Sequence, residues 1–188
     1  VKQPLAFVFD IDGVLLRGSA PLAGAQKALR LLLSSGTPFL LLTNGGGELE
    51  SSKAAKLSKL LSLPIHPSQV VLSHTPMRPL CAALGPQARV LVLGCRDVLS
   101  VARAYGLSKI DTPMDLLRDT PSLYPFLDVA ERKPLAHSGE PFAAVLVLHD
   151  PNNWRSASAS AAWRRGTSAP SCTSCGACRA TRSTATAR

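Results

Sequence analysis

From Asn152 to Arg188 the chain contains no Leu, Ile, Val, Phe or Met, and Ala, Ser, Thr and Arg supply 27 of these 37 residues. Ordering the backbone costs roughly 1–2 kcal/mol per residue, and a segment of this composition has almost no aliphatic surface to bury against that cost. Any packed core must therefore come from residues 1–150, and 152–188 is expected to be a disordered basic tail with Trp154 and Trp163 as its only large apolar groups. Charge divides at the same place. Of the 188 residues, 1–150 hold 15 basic and 12 acidic side chains, while the last 38 hold six arginines and no acid. The net charge of +9 thus belongs mostly to the tail. Six dispersed arginines (Arg155, Arg164, Arg165, Arg179, Arg182 and Arg188) support at most salt-sensitive, sequence-independent contact with a polyanion, so no specific nucleic-acid partner is expected. No apolar run approaches the roughly 20 residues that span a bilayer, and no membrane span is expected.

Residues 1–150 read as alternating α/β sequence. Leu5 to Phe9 is a short apolar run ending at Asp10, which predicts a strand buried on both faces. Pro21 is expected to open a helix over 22–35, with Ala25, Ala28, Leu29, Leu32 and Leu33 on one face and Gly36 as its stop. Phe39 to Leu42 is the next strand, closing a unit of the length that a parallel crossover needs. Ser51 to Leu61 follows as a helix whose apolar face is Ala54, Leu57, Leu60 and Leu61, with Lys53, Lys56 and Lys59 on solvated faces. Further strands are predicted at Gln69–Leu72, Arg89–Leu93 and Phe142–Leu148, and a helix at Val98–Tyr105. Proline-containing residues 107–141 carry mixed signals.

Chemistry is concentrated at two strand ends. Phe9-Asp10-Ile11-Asp12-Gly13 places two carboxylates one residue apart where ligands of open α/β sheets bind. One such carboxylate can attack as a nucleophile while the other, in a different environment, moves a proton. Both present the hard oxygen atoms that Mg²⁺ prefers. The neighbouring strand ends in Thr43-Asn44 followed by Gly45-Gly46-Gly47. A hydroxyl and backbone N–H groups there suit a phosphoryl oxygen where the next helix begins. Each pattern alone is an ordinary strand-end turn; 33 positions apart across one crossover, the two favour a phosphate-handling site.

These residues, Asp10-Ile11-Asp12-Gly13-Val14-Leu15 and Thr43-Asn44, together with Ser68 to Met77, resemble the haloacid dehalogenase superfamily in its capped phosphatase branch. The resemblance covers about residues 5–154, with weaker support from Arg89–Gly94 and Phe142–Trp154. It implies an α/β fold with a Rossmann-like parallel sheet, here incomplete: the first half of the core over 1–79, part of an inserted α/β cap over 80–151, and the tail from 152. It implies that Asp10 is the nucleophile that becomes an aspartyl-phosphate and that Asp12 is general acid and then base. Thr43, with Asn44 beside it, would bind the phosphoryl group of a small phosphorylated metabolite. Mg²⁺ would be held by Asp10 and Asp12, the latter through its backbone carbonyl. A mitochondrial location is also implied.

Two later motifs of that family, a lysine and an acidic cluster, find no match. Lys133-Pro134 and Asp150 imitate them, but His137 to Pro141 leaves no room for an intervening helix, and 142–150 is expected to be a cap strand instead. Little or no phosphatase activity is expected without them. The sequence changes character near Trp154–Arg155, as a frameshift or an alternative exon would make it; a non-catalytic phospho-ligand or protein-binding role is the alternative. Cys172, Cys175 and Cys178 have spacings that suit zinc, yet His66, His74, His137 and His149 all lie far upstream and a fourth ligand is wanting. Cys81 and Cys95 read as small core residues, and His74 as structural.

Overall fold

A computed structural model describes residues 5–123, 132–137 and 139–151. The tail, with its arginines and three cysteines, lies outside these residues. The fold is mixed α/β with parallel sheets. The apolar run that ends at Asp10 forms strand β1 (Phe7–Asp10), and a tight turn then leads into a two-residue hairpin, β2 (Leu16–Arg17) and β3 (Ala20–Pro21). Helix α1 (Ala25–Ser34) crosses to β4 (Phe39–Leu42), and α2 (Glu50–Leu61) crosses to β5 (Val70–Val71). The three long-range strands make one parallel sheet in the order β1-β4-β5.

This sheet has a dry face and an open one. Phe39 and Leu41 of β4 are buried with Leu29 of α1 and Ala54, Leu57 and Leu61 of α2 in one apolar cluster. On the opposite face Val8 is 60% exposed, and Leu40 and Leu42 beside it are 38% and 46% exposed. The expectation that the first strand is buried on both faces is therefore corrected. Among the described strands β1 lies at the edge of its sheet, and both crossover helices supply packing to the face that carries Phe39 and Leu41. An uninterrupted apolar run cannot say which of its two faces is covered. Pro21 likewise does not open a helix: it pairs with Leu16 in the hairpin, and α1 starts after Gly24, whose φ of 86° ends the preceding turn. Ala28 is exposed on α1.

Helix α3 (Arg78–Leu84) leads out of the first sheet and spans positions 79 and 80. Strand β6 (Arg89–Leu93), helix α4 (Val98–Ala104), strand β7 (Lys109–Asp111), helix α5 (Pro113–Asp119) and strand β8 (Ala144–Val147) complete the order. The second sheet is parallel, ordered β7-β6-β8. Here the central strand is buried throughout: Val90 and Val92 pack on Val98, Val101 and Leu146, while Leu91 and Leu93 pack on Leu116 and Leu135. Arg89 is buried with them. Its Nε donates to Asp111 Oδ2 at 2.7 Å, its guanidinium lies 4.2 Å from the Phe142 ring centroid, and it also donates to the Glu140 carbonyl. Removing either partner of this pair would leave a buried charge uncompensated.

Residues 107–141, mixed in their signals, contain β7 and α5. A reciprocal cap starts α5: Thr112 Oγ1 accepts from Asp115 N while Asp115 Oδ2 accepts from Thr112 N, with Pro113 in the first turn. None of the described helices is long and apolar enough to cross a membrane.

The two faces of β4 make a side-specific prediction. Leu41→Ala should cost about 2–5 kcal/mol, whereas Leu40→Ala should cost less than about 1 kcal/mol, as read from urea denaturation. Equal losses at both positions would contradict the open face.

Candidate functional site

Asp10 closes β1 in register with Leu42, so it stands beside the residue that precedes Thr43. After Asp10 the chain turns at once. Ile11 is fully buried and its carbonyl accepts from the N–H groups of Leu15 and Leu16. Gly13 takes a φ of 87°, a region that side chains avoid, and its N–H donates to Leu16 O at 2.7 Å. This turn leaves Asp12 exposed with its carboxylate directed to the adjacent strand end.

Thr43 lies there, only 3% exposed. Its N–H donates to Val71 O at 3.0 Å and its Oγ1 accepts from Gly45 N at 3.1 Å. The same hydroxyl donates to Asp12 Oδ2 at 3.5 Å, a long contact with room for a stronger partner. The structure thus brings Asp12 to Thr43, with Asp10 on the neighbouring strand end and Asn44 exposed next to Thr43. The helix after Thr43 begins at Glu50, next to the expected Ser51, and Gly46 and Gly47 of the intervening loop pack on other parts of the chain. All the oxygen donors at this corner are hard. No group of three or more His, Cys, Asp or Glu able to hold a metal occurs among the described residues.

Lys133 and Asp150, the imitators of later motifs, belong to the second sheet and its flanks. Lys133 lines a cleft with Asp111 and Asp115 at the second sheet, and Asp150 follows β8. Lys56 is not merely solvated, since its Nζ pairs with Glu48 Oε2 at 2.6 Å.

Behind the Thr43 loop lies a polar network that the sequence did not announce. Glu50, in the first turn of α2, is 5% exposed. Its Oε1 accepts from Tyr105 Oη at 2.5 Å and from Thr75 Oγ1 at 2.8 Å, and its Oε2 pairs with Arg78 at 3.2 Å. His74 is fully buried, with Nδ1 at 2.8 Å from Tyr105 Oη and Nε2 at 3.1 Å from Glu48 O. Its structural role, expected from the sequence, is what these contacts describe. Burial raises the Glu50 pKa, but the hydrogen bonds from Tyr105, its own backbone and Thr75, with the Arg78 charge, more than offset this and hold it below the usual carboxylate value. Burial, against the pull of Glu50 and the Glu48 carbonyl, holds the His74 imidazole below its usual value. Burial and the adjacent Glu50 push the Tyr105 phenol upward. The acid at a helix start was a visible signal for Glu50; nothing local marked Tyr105, 55 residues away.

With this geometry in view, comparison with known proteins decides the family. Residues 7–108 match the family described as haloacid dehalogenase-like hydrolase. The chain belongs to that family. It is 37% identical over 160 residues to a mitochondrial hydrolase of Saccharomyces cerevisiae, covering 81% of this chain and 45% of that protein. It is 39% identical over 101 residues to glycerol-3-phosphate phosphatase of Gallus gallus, covering 53% of this chain and 32% of that protein. The chain therefore spans less than half the length of these relatives. The p-nitrophenyl phosphatase from Archaeoglobus fulgidus shares the fold, with a TM-score of 0.50 and 19% identity over 56% of this chain and 40% of that one.

Removal of the phenolic hydroxyl in Tyr105→Phe leaves Glu50 Oε1 and His74 Nδ1 short of a partner and should cost about 1–3 kcal/mol in urea denaturation. Acid should weaken the network in two stages. His74 titrates lower in the folded chain than its ordinary 6.5, so stability is full above that pH and declines as pH falls through it. Glu50 titrates below its ordinary 4.5, so its contribution is lost only as pH falls below that value. A urea midpoint independent of pH between these two values would contradict the lowered His74 pKa.

Proposed function

We propose that this chain carries the phosphoryl-handling corner of a phosphomonoester hydrolase. The observation that carries the reading is the meeting of Asp12 and Thr43 at 3.5 Å beside the strand end that holds Asp10. In this reading an Asp10 carboxylate oxygen attacks phosphorus, and Asp12, as its acid, protonates the departing alkoxide. The product alcohol leaves and an aspartyl-phosphate remains on Asp10. Asp12, now a base, takes a proton from water as the water oxygen attacks phosphorus, and phosphate departs with Asp10 restored. Thr43, with Asn44 beside it, orients the phosphoryl oxygens. The long Asp12–Thr43 contact suits this, because the hydroxyl can turn toward an anion when one is present.

Asp10 and Asp12 fit Mg²⁺, which binds through one or two carboxylates and keeps water and substrate oxygens as its remaining ligands. When bound it would neutralise charge on the transferring group. We place the core over residues 1–79 and part of a cap in the second sheet over 80–151, which would bear on the choice of a small phosphorylated metabolite. The names of the hydrolase and phosphatase relatives support the substrate class, and the yeast relative supports a mitochondrial location.

Turnover in this chain is expected to be weak. None of the described lysines is placed against Asp10 or Asp12 by a hydrogen bond or an ion pair. A preorganised cation is among the larger contributors to transition-state stabilisation. The purified chain should therefore bind beryllium fluoride in the presence of Mg²⁺ by calorimetry, with binding lost in Asp10→Asn, while hydrolysing an aryl phosphate at least about a hundredfold more slowly than an intact site. Robust Mg²⁺-dependent hydrolysis abolished by Asp10→Asn would overturn the expectation of weak turnover. Neither binding nor hydrolysis by the folded chain would overturn the site itself.

A further inference from the structure

Apart from the Asp–Thr corner, the described residues hold a second pair of reactive side chains. Cys95 follows β6 and His149 follows β8, and Leu93 is in register with Val147, so the two strand ends emerge side by side. Cys95 Sγ lies 3.2 Å from His149 Nδ1, and both residues are half-buried. The same Nδ1 lies 3.0 Å from the Asp150 carbonyl oxygen. A carbonyl only accepts, so Nδ1 carries the hydrogen and the sulfur beside it is placed as an acceptor as well. A thiolate accepts such a bond far better than a thiol, and an imidazole at this distance is a known means of favouring the anion. Charged and titratable neighbours are Arg96 and Asp97 next to Cys95, Asp150 next to His149, and His74 across the glycine loop.

The pair is packed against the loop that runs on from Thr43. Gly47 has a φ of 76°, and a Cβ there would lie 2.8 Å from His149 Cδ2 and 3.1 Å from the Cys95 carbonyl oxygen. The Gly47 carbonyl in turn accepts from Asp97 N at 2.9 Å. This wall has no room for even one added carbon. Cys81, by contrast, is fully buried, and burial pushes its thiol upward.

We propose that Cys95 is a nucleophilic thiol, activated by His149, that forms a mixed disulfide with low-molecular-weight disulfides at the wall of the Thr43 loop. The Cys95 thiolate attacks one sulfur of the small disulfide; a new S–S bond forms as the old one breaks. The bonding pair leaves with the second sulfur, which is reduced to a thiolate and takes a proton from water, while Cys95 is oxidised to the disulfide level. The adduct, added beside His149, displaces Gly47, the glycine packed on the His149 ring. That this displacement bears on phosphate binding rests on the function proposed above; the reactivity of the thiol does not.

The test uses the full chain and the aromatic disulfide dithiodipyridine, with the labelled cysteine assigned by peptide mass mapping. Near pH 6 the Cys95 rate should exceed that of a model thiol at least about tenfold. His149→Asn should lower it about tenfold, and Cys95→Ser should remove that labelled peptide. Hydrogen exchange of residues 43–48 should rise in the Cys95 adduct. A wild-type Cys95 rate no faster than that of a model thiol near pH 6 overturns the proposal, whether or not His149→Asn folds. Unchanged exchange in the adduct overturns its link to the loop.

Discussion

The carboxylate of Glu50 is the contact on which the placement of the two sheets depends. A charge taken out of water at a helix start is costly unless it is paired and hydrogen-bonded. Its partners come from three separate parts of the chain: Thr75 from the turn after β5, Arg78 from α3 and Tyr105 from the end of α4. Satisfying that one group therefore fixes α2, the turn at 73–77 and the second core with respect to each other. His74 continues the network to the Glu48 carbonyl, within the segment that joins Thr43 to α2.

That arrangement explains how a loop rich in glycine can be well placed. Gly46 and Gly47 have no side chains to anchor, and their neighbours do the positioning: Ser73, His74 and the Leu148 carbonyl on one side, His149 and the Cys95 carbonyl on the other. The glycines permit the second sheet to approach the site loop this closely. Thr43 consequently sits on a support made by both sheets, although it belongs to only one. Asp10 and Asp12, by contrast, depend on the first sheet alone, through the β1–β4 register and the turn at Gly13.

Much of this was readable beforehand, for identifiable reasons. The strand ending at Asp10, the crossover to Phe39–Leu42 and the helix ending at Leu61 are governed by local periodicity, which survives in the structure within a few residues. Asp12 and Thr43 meet because parallel strands in register carry their C-terminal ends to one edge. The errors have the opposite origin. Pro21 looked like a helix start because proline suits the first turn, yet a two-residue hairpin pairing claimed it. The first strand looked doubly buried because an apolar run shows composition without direction. The Glu50–Tyr105 and Cys95–His149 contacts span 55 and 54 residues and leave no local trace.

The sequence by itself determined where a core can exist, since residues 152–188 have no Leu, Ile, Val, Phe or Met to bury, and it determined the alternation of strand and helix with carboxylates and a hydroxyl at the strand ends. Those outcomes follow from composition and short-range spacing. Only the tertiary structure decided which face of the first sheet is dry, which polar groups are buried together, and which thiol has an imidazole beside it. Each of these depends on the approach of segments far apart in the chain, and that approach is set by the packing of two sheets around shared buried partners.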